Sequence, residues 1–550
     1  ATMFIDDSTY KRNGKTYRRV LMRTSYRVGE KVKHKTVGNL SDCSEEEIQA
    51  IKLALKHKDR LNAVEDIPNA TETRQGKSVG ALCLLHQLAQ RLGIVQALGK
   101  SRHAKLVLWM VYATAIEQGS RLSATRLAQN HAVCDILNLN SFTEDDLYEA
   151  MDWLDEHQNG IEQSLFAQRY GEQKPPLYLY DVTSSYLEGT ENELAEFGYN
   201  RDGKKGKMQI VIGLLTDENG RPVSVEVFPG NTSDLSTFSQ QVEKVRQRFG
   251  GRDVVFVGDR GMIKGPQIAE LPEDCHYITA ISKAQIQTLL NKGALQMELF
   301  DETVCETFSE GVRYILRRNP ERAHEMEQTR HSKKVRLQAL VDKENQYLKE
   351  HPKARVQTAE KHICALADKL MINSWVRIRC EDRHFRVEVD EEALAEEAKL
   401  DGCYVIRTDL EYEQADTQTV HDRYKDLSEV EWAFRTMKTS LLELRAIFVQ
   451  KANRTRAHVF IIMLAYLLTY ELRRLWQDVE MTIEEGLREL STLCATEVQI
   501  GNTSVQSIPK PRESVQQLLR KAKVTLPEAI PCKGATVVTR KKLVSERQQI

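Results

Sequence analysis

The period of the apolar positions changes twice along the 550-residue chain, and each change marks a predicted boundary. Over residues 1–40 apolar and basic side chains alternate, as in Tyr17-Arg18-Arg19-Val20-Leu21-Met22-Arg23, with turn signals at Asn13-Gly14 and Gly29-Glu30. A period of two predicts half-buried strands, so residues 1–62 read as a basic, strand-rich N-terminal domain. The polar stretch from Asn62 to Gly80, with Pro68 and Gly76, reads as a linker. From Ala81 to about Tyr170 the spacing becomes helical: Leu82, Leu85, Leu88 and Leu92 recur on one face, and Val107–Ile116 is a buried-helix pattern. Residues 80–170 therefore read as a helical domain. Ser123–Ala128 fits the short helix of a helix-turn-helix unit, a pattern that small helical bundles share; such a unit would make this a helical DNA-binding domain.

At Pro175 the period returns to two. Leu177–Val182 is one strand. Gln209–Leu215 and Val223–Phe228 are two more, joined at Asn219-Gly220, which predicts an antiparallel hairpin. Asn231-Thr232-Ser233-Asp234 offers side-chain caps to a helix running to about Phe249. Val254–Val257 is an unbroken apolar run, as expected of a strand buried on both faces, parallel to its neighbour and reached through that helix. With His276–Ser282 as a further strand, residues 175–284 predict the first part of an α/β domain built on a mixed sheet. Residues 285–400 mix strands (Val312–Leu316, Val376–Cys380, Phe385–Val389) with a charged helix from about Pro320 to His351. They read as an α+β domain inserted into the sheet domain, since a structureless connection of that length is improbable. Gly402–Arg407 resumes the buried-strand pattern and opens the second part, residues 401–480; a basic C-terminal region, 481–550, follows.

Charge refines this picture. The chain carries 78 basic and 79 acidic residues, a net charge of -1, which excludes a uniformly basic nucleic-acid binder but not a segregated one. Residues 1–40 hold ten Lys/Arg against three Asp/Glu, and Pro509–Ile550 shows the same ratio. Basic ends suit a phosphate backbone, although either end alone reads equally as a solvated terminus. The longest apolar run, Val459–Leu468, is half of the ~20 residues that a membrane span needs. Ala1-Thr2-Met3 leads straight into charged sequence without a signal-peptide pattern. The ten cysteines form no CxxC, which argues against a zinc ribbon or a secreted disulfide scaffold and for reduced thiols in a cytoplasmic protein.

Three carboxylates stand out by position. Asp181 lies in the middle of the first strand of the α/β region, and Asp259 ends the buried strand in Val257-Gly258-Asp259-Arg260-Gly261. Ligand sites in open α/β sheets lie at strand ends. A carboxylate held there without an obvious basic partner is unfavourable unless a metal or hydrogen bonds compensate. The third, Glu431, falls in a segment predicted as one helix, Tyr424–Lys438, where Tyr424, Glu431 and Lys438 are seven apart and share a face. Arg435, one turn beyond Glu431, can reach it or a phosphate. Taken singly, the aspartates also read as turn formers and the helix as an ordinary ion-paired surface.

As an ordered series over Pro175–Leu475, these segments resemble the DDE transposases of bacterial insertion sequences, in the IS-four group with its Y-x2-R-x3-E-x6-K signature. Tyr424, Glu431 and Lys438 fall on the Y, E and K; the R position is Leu427. Asp181-Val182-Thr183 and Gly258-Asp259-Arg260-Gly261-Met262 match the two aspartate motifs, and Pro229–Asp234 resembles the loop after the third strand.

The resemblance implies a ribonuclease-H-like sheet interrupted by the insertion domain, with Asp181, Asp259 and Glu431 as catalytic residues and ligands of two Mg²⁺ ions, Mn²⁺ substituting. Such ions, roughly 3.5–4 Å apart, clamp the attacking and leaving oxygens of a phosphodiester in line. The implied partners are the transposon terminal inverted repeats and target DNA, bound by a homodimer in a bacterial cytoplasm, nucleoid-associated when bound, with no membrane contact. Expected DNA contacts are Tyr424, Arg435 and Lys438, with Lys204 and Lys205 between the first two strands and Arg18 and Arg19 in the N-terminal domain. His458, near Arg454 and Arg456, reads as a packed histidine or a DNA contact; Trp375 reads as a core residue or as a platform for a flipped base. A metal-dependent nuclease without strand transfer shares the triad, and a non-catalytic DNA-binding descendant of a transposase is the other alternative.

Overall fold

The computed structural model describes residues 2–12, 14–29, 31–56, 71–439, 442, 444, 447–500, 503–531, 534, 535, 537 and 538. The chain divides into two units: Ala1–Val79, Leu493–Pro511 and Leu526–Gly534 form one, and Gly80–Thr492, Arg512–Thr525 and Ala535–Ile550 form the other.

The first unit opens with the antiparallel sheet β1 (Thr2–Arg12), β2 (Lys15–Val28) and β3 (Lys31–Asn39), followed by α1 (Glu45–Lys56). Val20 and, from α1, Ile48 are buried, but residues 15–19 of β2 are exposed throughout and 21–25 half-buried throughout, so the strand is present without the two-residue alternation of burial that the sequence predicts. β4 (Thr71–Ser78) lies within the stretch expected to be a linker, whose residues 62–70 lie outside the described residues.

The second unit begins with α2 (Gly80–Arg91), α3 (Ile94–Leu98), α4 (Arg102–Ile116), α5 (Arg121–Asn130), α6 (Val133–Ile136) and α7 (Glu144–Tyr170). Ser101 and Ser120 cap α4 and α5 by accepting from the backbone N–H of Ala104 and Ser123. α4 is apolar almost all round and is buried accordingly.

Then come β5 (Leu177–Tyr186), β6 (Gln209–Asp217), β7 (Pro222–Pro229), α8 (Asp234–Arg248), β8 (Val254–Gly258), α9 (Gly265–Ala269), β9 (Cys275–Ala280), α10 (Lys283–Asn291), β10 (Cys305–Ser309) and β11 (Val312–Arg318). Ser233 sits at the N-cap of α8 without a side-chain cap bond, contrary to the capping expected of this loop. A second helical block follows: α11 (Pro320–Glu350), α12 (Val356–Leu370), the hairpin β12 (Val376–Glu381) and β13 (His384–Val389), and α13 (Glu391–Ala398). β14 (Cys403–Thr408) returns to the large sheet, which runs β10-β11-β14-β9-β8-β5-β6-β7. β5, β8 and β9 are parallel; the remaining pairs are antiparallel. Gly213 lets β6 approach β5, since a Cβ there would come 2.4 Å from the Tyr180 hydroxyl.

The insertion expected from 285 to 400 is therefore narrower than its sequence suggested. β10 and β11 are sheet strands, because β11 pairs with β14, a partner that no local pattern announces. What remains interposed, α11 to α13, has its own core of Leu337, Val341, Ile363, Trp375 and Phe385. Trp375 is 2% exposed, a core residue rather than an open platform for a base.

Past β14 the segment predicted as one helix is two, α14 (Thr417–Lys425) and α15 (Leu427–Lys438), meeting at Asp426. α16 (Ala452–Leu475) buries Val459–Leu468, so the longest apolar run is core, and no described helix is long and apolar enough to cross a membrane. After α17 (Ile483–Ser491) come β15 (Cys494–Ile500), β16 (Thr503–Ser507), α18 (Glu513–Lys521) and β17 (Ala529–Ile530). The three strands join β4 in the order β17-β16-β15-β4, within the first unit. Much of the expected C-terminal basic region is thus ordered sheet and helix, and β4 is a strand because β15 pairs with it.

Within the second unit α7 packs on α16 and on β7. Asp152 and Asp155 pair with Arg454 at 2.7 Å and Arg456 at 2.8 Å, so the acidic stretch of α7 holds the two arginines flagged beside His458. Glu162 is fully buried: it accepts from Ser224 Oγ at 2.8 Å, the Val225 N–H at 3.1 Å and Gln158 at 2.9 Å, while burial raises its carboxyl above the usual range. Glu162→Ala strips the buried donors on β7 of their acceptor, and the expected loss is about 1–3 kcal/mol. Denaturant titration checks this; an unchanged midpoint would show that water replaces the carboxylate.

Candidate active site

Parallel pairing aligns Tyr180 of β5 with Gly258 of β8, so Asp181 and Asp259 occupy the next position along each strand. The Val182 N–H donates to Asp181 Oδ1 at 2.8 Å, and the Arg260 N–H donates to Asp259 Oδ1 at 2.7 Å. Glu431 comes from α15, whose apolar stripe of Leu427, Val430, Ala433, Phe434 and Met437 is buried. With that stripe turned inward, the carboxylate stays exposed. All three acids line one cavity of about 880 Å³.

The electrostatics of this cavity are those of crowded anions. The Asp181 carboxyl is pushed up to about 7, first by burial and then by the charges of Asp259 and Glu431, with Arg201 opposing. Tyr424 lines the same cavity; burial, then Asp259, Glu431 and Asp181, raise its phenol and keep the proton on its oxygen. Among the described residues no three His, Cys, Asp or Glu side chains come close enough to hold one ion together. The donor set still suits a hard cation, because magnesium is usually held by one or two carboxylates, with waters and substrate phosphates completing the shell. A cation there compensates the burial of the Asp181 charge and relieves its repulsion by Asp259 and Glu431.

The cavity is also ringed by cations that the sequence analysis did not single out: Arg201, Arg260, Lys283, Arg322 and Lys425. Arg201 pairs with Asp234, another wall residue, at 2.5 Å. Arg260 and Lys425 stand inside motifs already quoted and were legible by adjacency. Lys283 begins α10 at the end of the first α/β stretch, and Arg322 lies in the first turn of α11, in the stretch assigned to an insertion; no local signal links either to the three carboxylates.

The expected DNA contacts divide. Tyr424 reaches the cavity, but from α14, so the single straight helix face expected for it does not exist. Lys438 does not line the cavity: its ammonium is buried against Asp202, at 3.0 Å, and the Ser184 carbonyl, which ties the end of α15 to the edge of β5. Leu427, at the signature's arginine position, is a buried wall residue. Arg435 is exposed on α15 but is no part of the cavity lining. Lys204 and Lys205 are exposed on the loop before β6, with Lys204 Nζ 5.7 Å from the centre of the Tyr186 ring. Arg19 is exposed, whereas Arg18 is held by Asp7 at 2.7 Å and Glu45 at 2.6 Å. His458 is half-buried, its imidazole pushed down to about 3 by burial and then by Arg121, so it brings no positive charge near neutral pH.

Comparison with known proteins agrees with the order of these motifs. A family described as the Transposase DDE domain matches residues 172–468, and one described as the IS1634 family transposase, N-terminal domain, matches residues 5–69. No curated protein matches the chain. Among solved structures, the cryo-EM structure of a piggyBac transposase synaptic complex with hairpin DNA is similar at 8% identity and a TM-score of 0.35, over 70% of this chain and 69% of that one, a likeness too low to bear on the fold. The match over residues 172–468 spans more than half of the chain and takes in all three cavity carboxylates, and on that ground the chain belongs to the DDE transposases.

Proposed function

We propose that this chain cleaves transposon ends and joins them to target DNA, with Asp181, Asp259 and Glu431 holding two divalent metal ions, Mg²⁺ in the first instance. The observation that carries this reading is the convergence of three carboxylates from β5, the end of β8 and α15 on one cation-ringed cavity. The strand order β7-β6-β5-β8-β9, with an antiparallel hairpin followed by parallel strands, supports a ribonuclease-H-like core, extended at one edge by β14, β11 and β10.

When bound, the ions supply Lewis-acid stabilisation of a transferring phosphate and activate the attacking hydroxyl. The chain's own groups do the rest. Arg201, Arg260 and Lys425 offer positive charge to phosphates on either side of the scissile one. Tyr424, kept protonated, donates its hydroxyl to a phosphate oxygen. Lys438, through Asp202 and Ser184, holds α15 so that Glu431 faces the two aspartates, a positioning role in place of the direct contact expected. Arg19, Lys204, Lys205 and Arg435 remain exposed positive charges for flanking DNA, and the matched N-terminal domain supports recognition of ends by the first unit.

Asp181→Asn, Asp259→Asn and Glu431→Gln should each abolish strand cleavage in Mg²⁺ while leaving binding of terminal DNA intact, because each removes a ligand with little change in volume. Cleavage near the wild-type rate by any one of them would remove that residue from the assignment. A joining assay with pre-cleaved ends separates a transposase from a nuclease without strand transfer.

The raised Asp181 carboxyl gives a second expectation. The folded chain keeps a proton that the unfolded chain has already lost between the ordinary carboxylate range and about 7, so this group's contribution to stability falls as pH rises through that window. Protons and metal compete there. Mg²⁺ should therefore raise the unfolding temperature more at pH 8 than at pH 5, and Asp181→Asn should remove the difference. Equal shifts at both pH values would disconnect Asp181 from the metal.

A further inference from the structure

The start of α11 and its N-cap also line the cavity, through Asn319, Arg322 and Met326. Arg322 also lines a second concavity, of about 530 Å³, that runs on along the same helix past Thr329, Ser332, Lys333 and Arg336. Arg322, Met326, Thr329, Lys333 and Arg336 recur every three or four residues, so they form one continuous face of the helix. Thr329, Ser332 and Arg336 on this face are exposed. Over 328–341 the helix carries Arg330, Lys333, Lys334 and Arg336 and no Asp or Glu. Arg330 is tied to Asp401, whereas Lys333 and Arg336 make no ion pair among the described residues. The single acid in this groove, Glu325, pairs with Arg322 at 2.6 Å.

We infer that this face of α11 is a track for the DNA backbone leaving the catalytic cavity, an inference that rests on the transposase reading above. Its chemistry is that of phosphate contact more than of base readout: guanidinium and ammonium groups interleaved with hydroxyls, the one amide among them, Gln328, being engaged with His324 at 2.9 Å. Its length fits as well. From Arg322 to Arg336 is fourteen residues, about 21 Å of helix at 1.5 Å per residue. The ~3.4 Å rise per phosphate is measured along the duplex axis, and a strand winds about that axis, so a straight track of this length meets about three consecutive phosphates. Because Arg322 belongs to both hollows, a strand seated on the triad can pass onto the track without crossing a gap. Glu325 limits the track's affinity: it neutralises Arg322 and presents a like charge to the backbone.

The test uses the full chain with Ca²⁺ in place of Mg²⁺ and a duplex carrying the element's own terminal sequence with flanking DNA on both sides. Affinity is measured against salt concentration, and phosphate ethylation interference is mapped on the same complex. Lys333→Ala/Arg336→Ala should lower the slope of log affinity against log salt by about 2, given about 0.9 per neutralised phosphate. It should also abolish interference over about three consecutive phosphates on one side of the cleavage site. Glu325→Gln should move affinity the other way, upward, which a folding defect would not do. A wild-type slope and interference pattern in the double variant would overturn the track, as would unchanged or weaker binding by Glu325→Gln. If wild type cleaves through the triad and the double variant still binds as wild type, the track alone falls; if wild type neither binds nor cleaves terminal DNA, the transposase reading falls with it.

Discussion

Hydrogen bonding between β5 and β8 aligns Tyr180 with Gly258 and so brings two carboxylates to adjacent positions on neighbouring parallel strands. The consequences run outward from that register. A one-residue slip would turn Asp181 to the opposite face of the sheet and leave Asp259 alone. β8 can pair in parallel only because α8 carries the chain back across the sheet. It can lie at the centre because Val254, Val255, Phe256 and Val257 offer apolar side chains to both faces. Burial in this sheet raises Asp181, and the like charges of Asp259 and, from α15, Glu431 raise it further. An arrangement so unfavourable on its own is intelligible in a chain whose function supplies cations.

The other recurrent theme is the division of the basic residues between the fold and its ligand. Arg454 and Arg456 hold the acidic side of α7, Arg18 bridges Asp7 and Glu45, and Lys438 is buried on Asp202. Arg18 and Lys438 were expected as DNA contacts, and each has an acid waiting for it in three dimensions. The half-buried pairs of Arg454 and Arg456 and the buried pair of Lys438 organise the scaffold, because removing one partner leaves the other charge desolvated, whereas the exposed pairs of Arg18 contribute little. The cations that remain turned toward open space gather at the cavity, on the loop before β6, on the exposed side of α15 and along α11. Net charge near zero therefore conceals a strongly uneven surface.

Local pattern was sufficient wherever an element's identity follows from its own side chains. The hairpin of β6 and β7 could be read from alternation and from Asn219-Gly220, β8 from its unbroken apolar run, and α4 and α16 from their length and burial. The triad was legible for the same reason: strand-central and strand-terminal aspartates are unusual in their own neighbourhoods, and the glutamate sits beside the apolar stripe that packs its helix.

Tertiary structure decided everything that depends on a distant partner. Thr71–Ser78 contains a glycine and little apolar sequence, and it is a strand because β15 pairs with it. β10 and β11 joined the main sheet because β14 offers β11 an edge, so the insertion is smaller than its composition suggested. Tyr424 and Glu431 lie on separate helices, since the chain turns at Asp426. Lys283 and Arg322 reached the cavity from segments with no chemical signature of their own. The sequence by itself marked out the three carboxylates that the cavity gathers and the order in which they come. Which cations surround them was left to the fold, because ion pairing acts between side chains that meet only after the sheet has closed, and no periodicity along the chain encodes such a meeting.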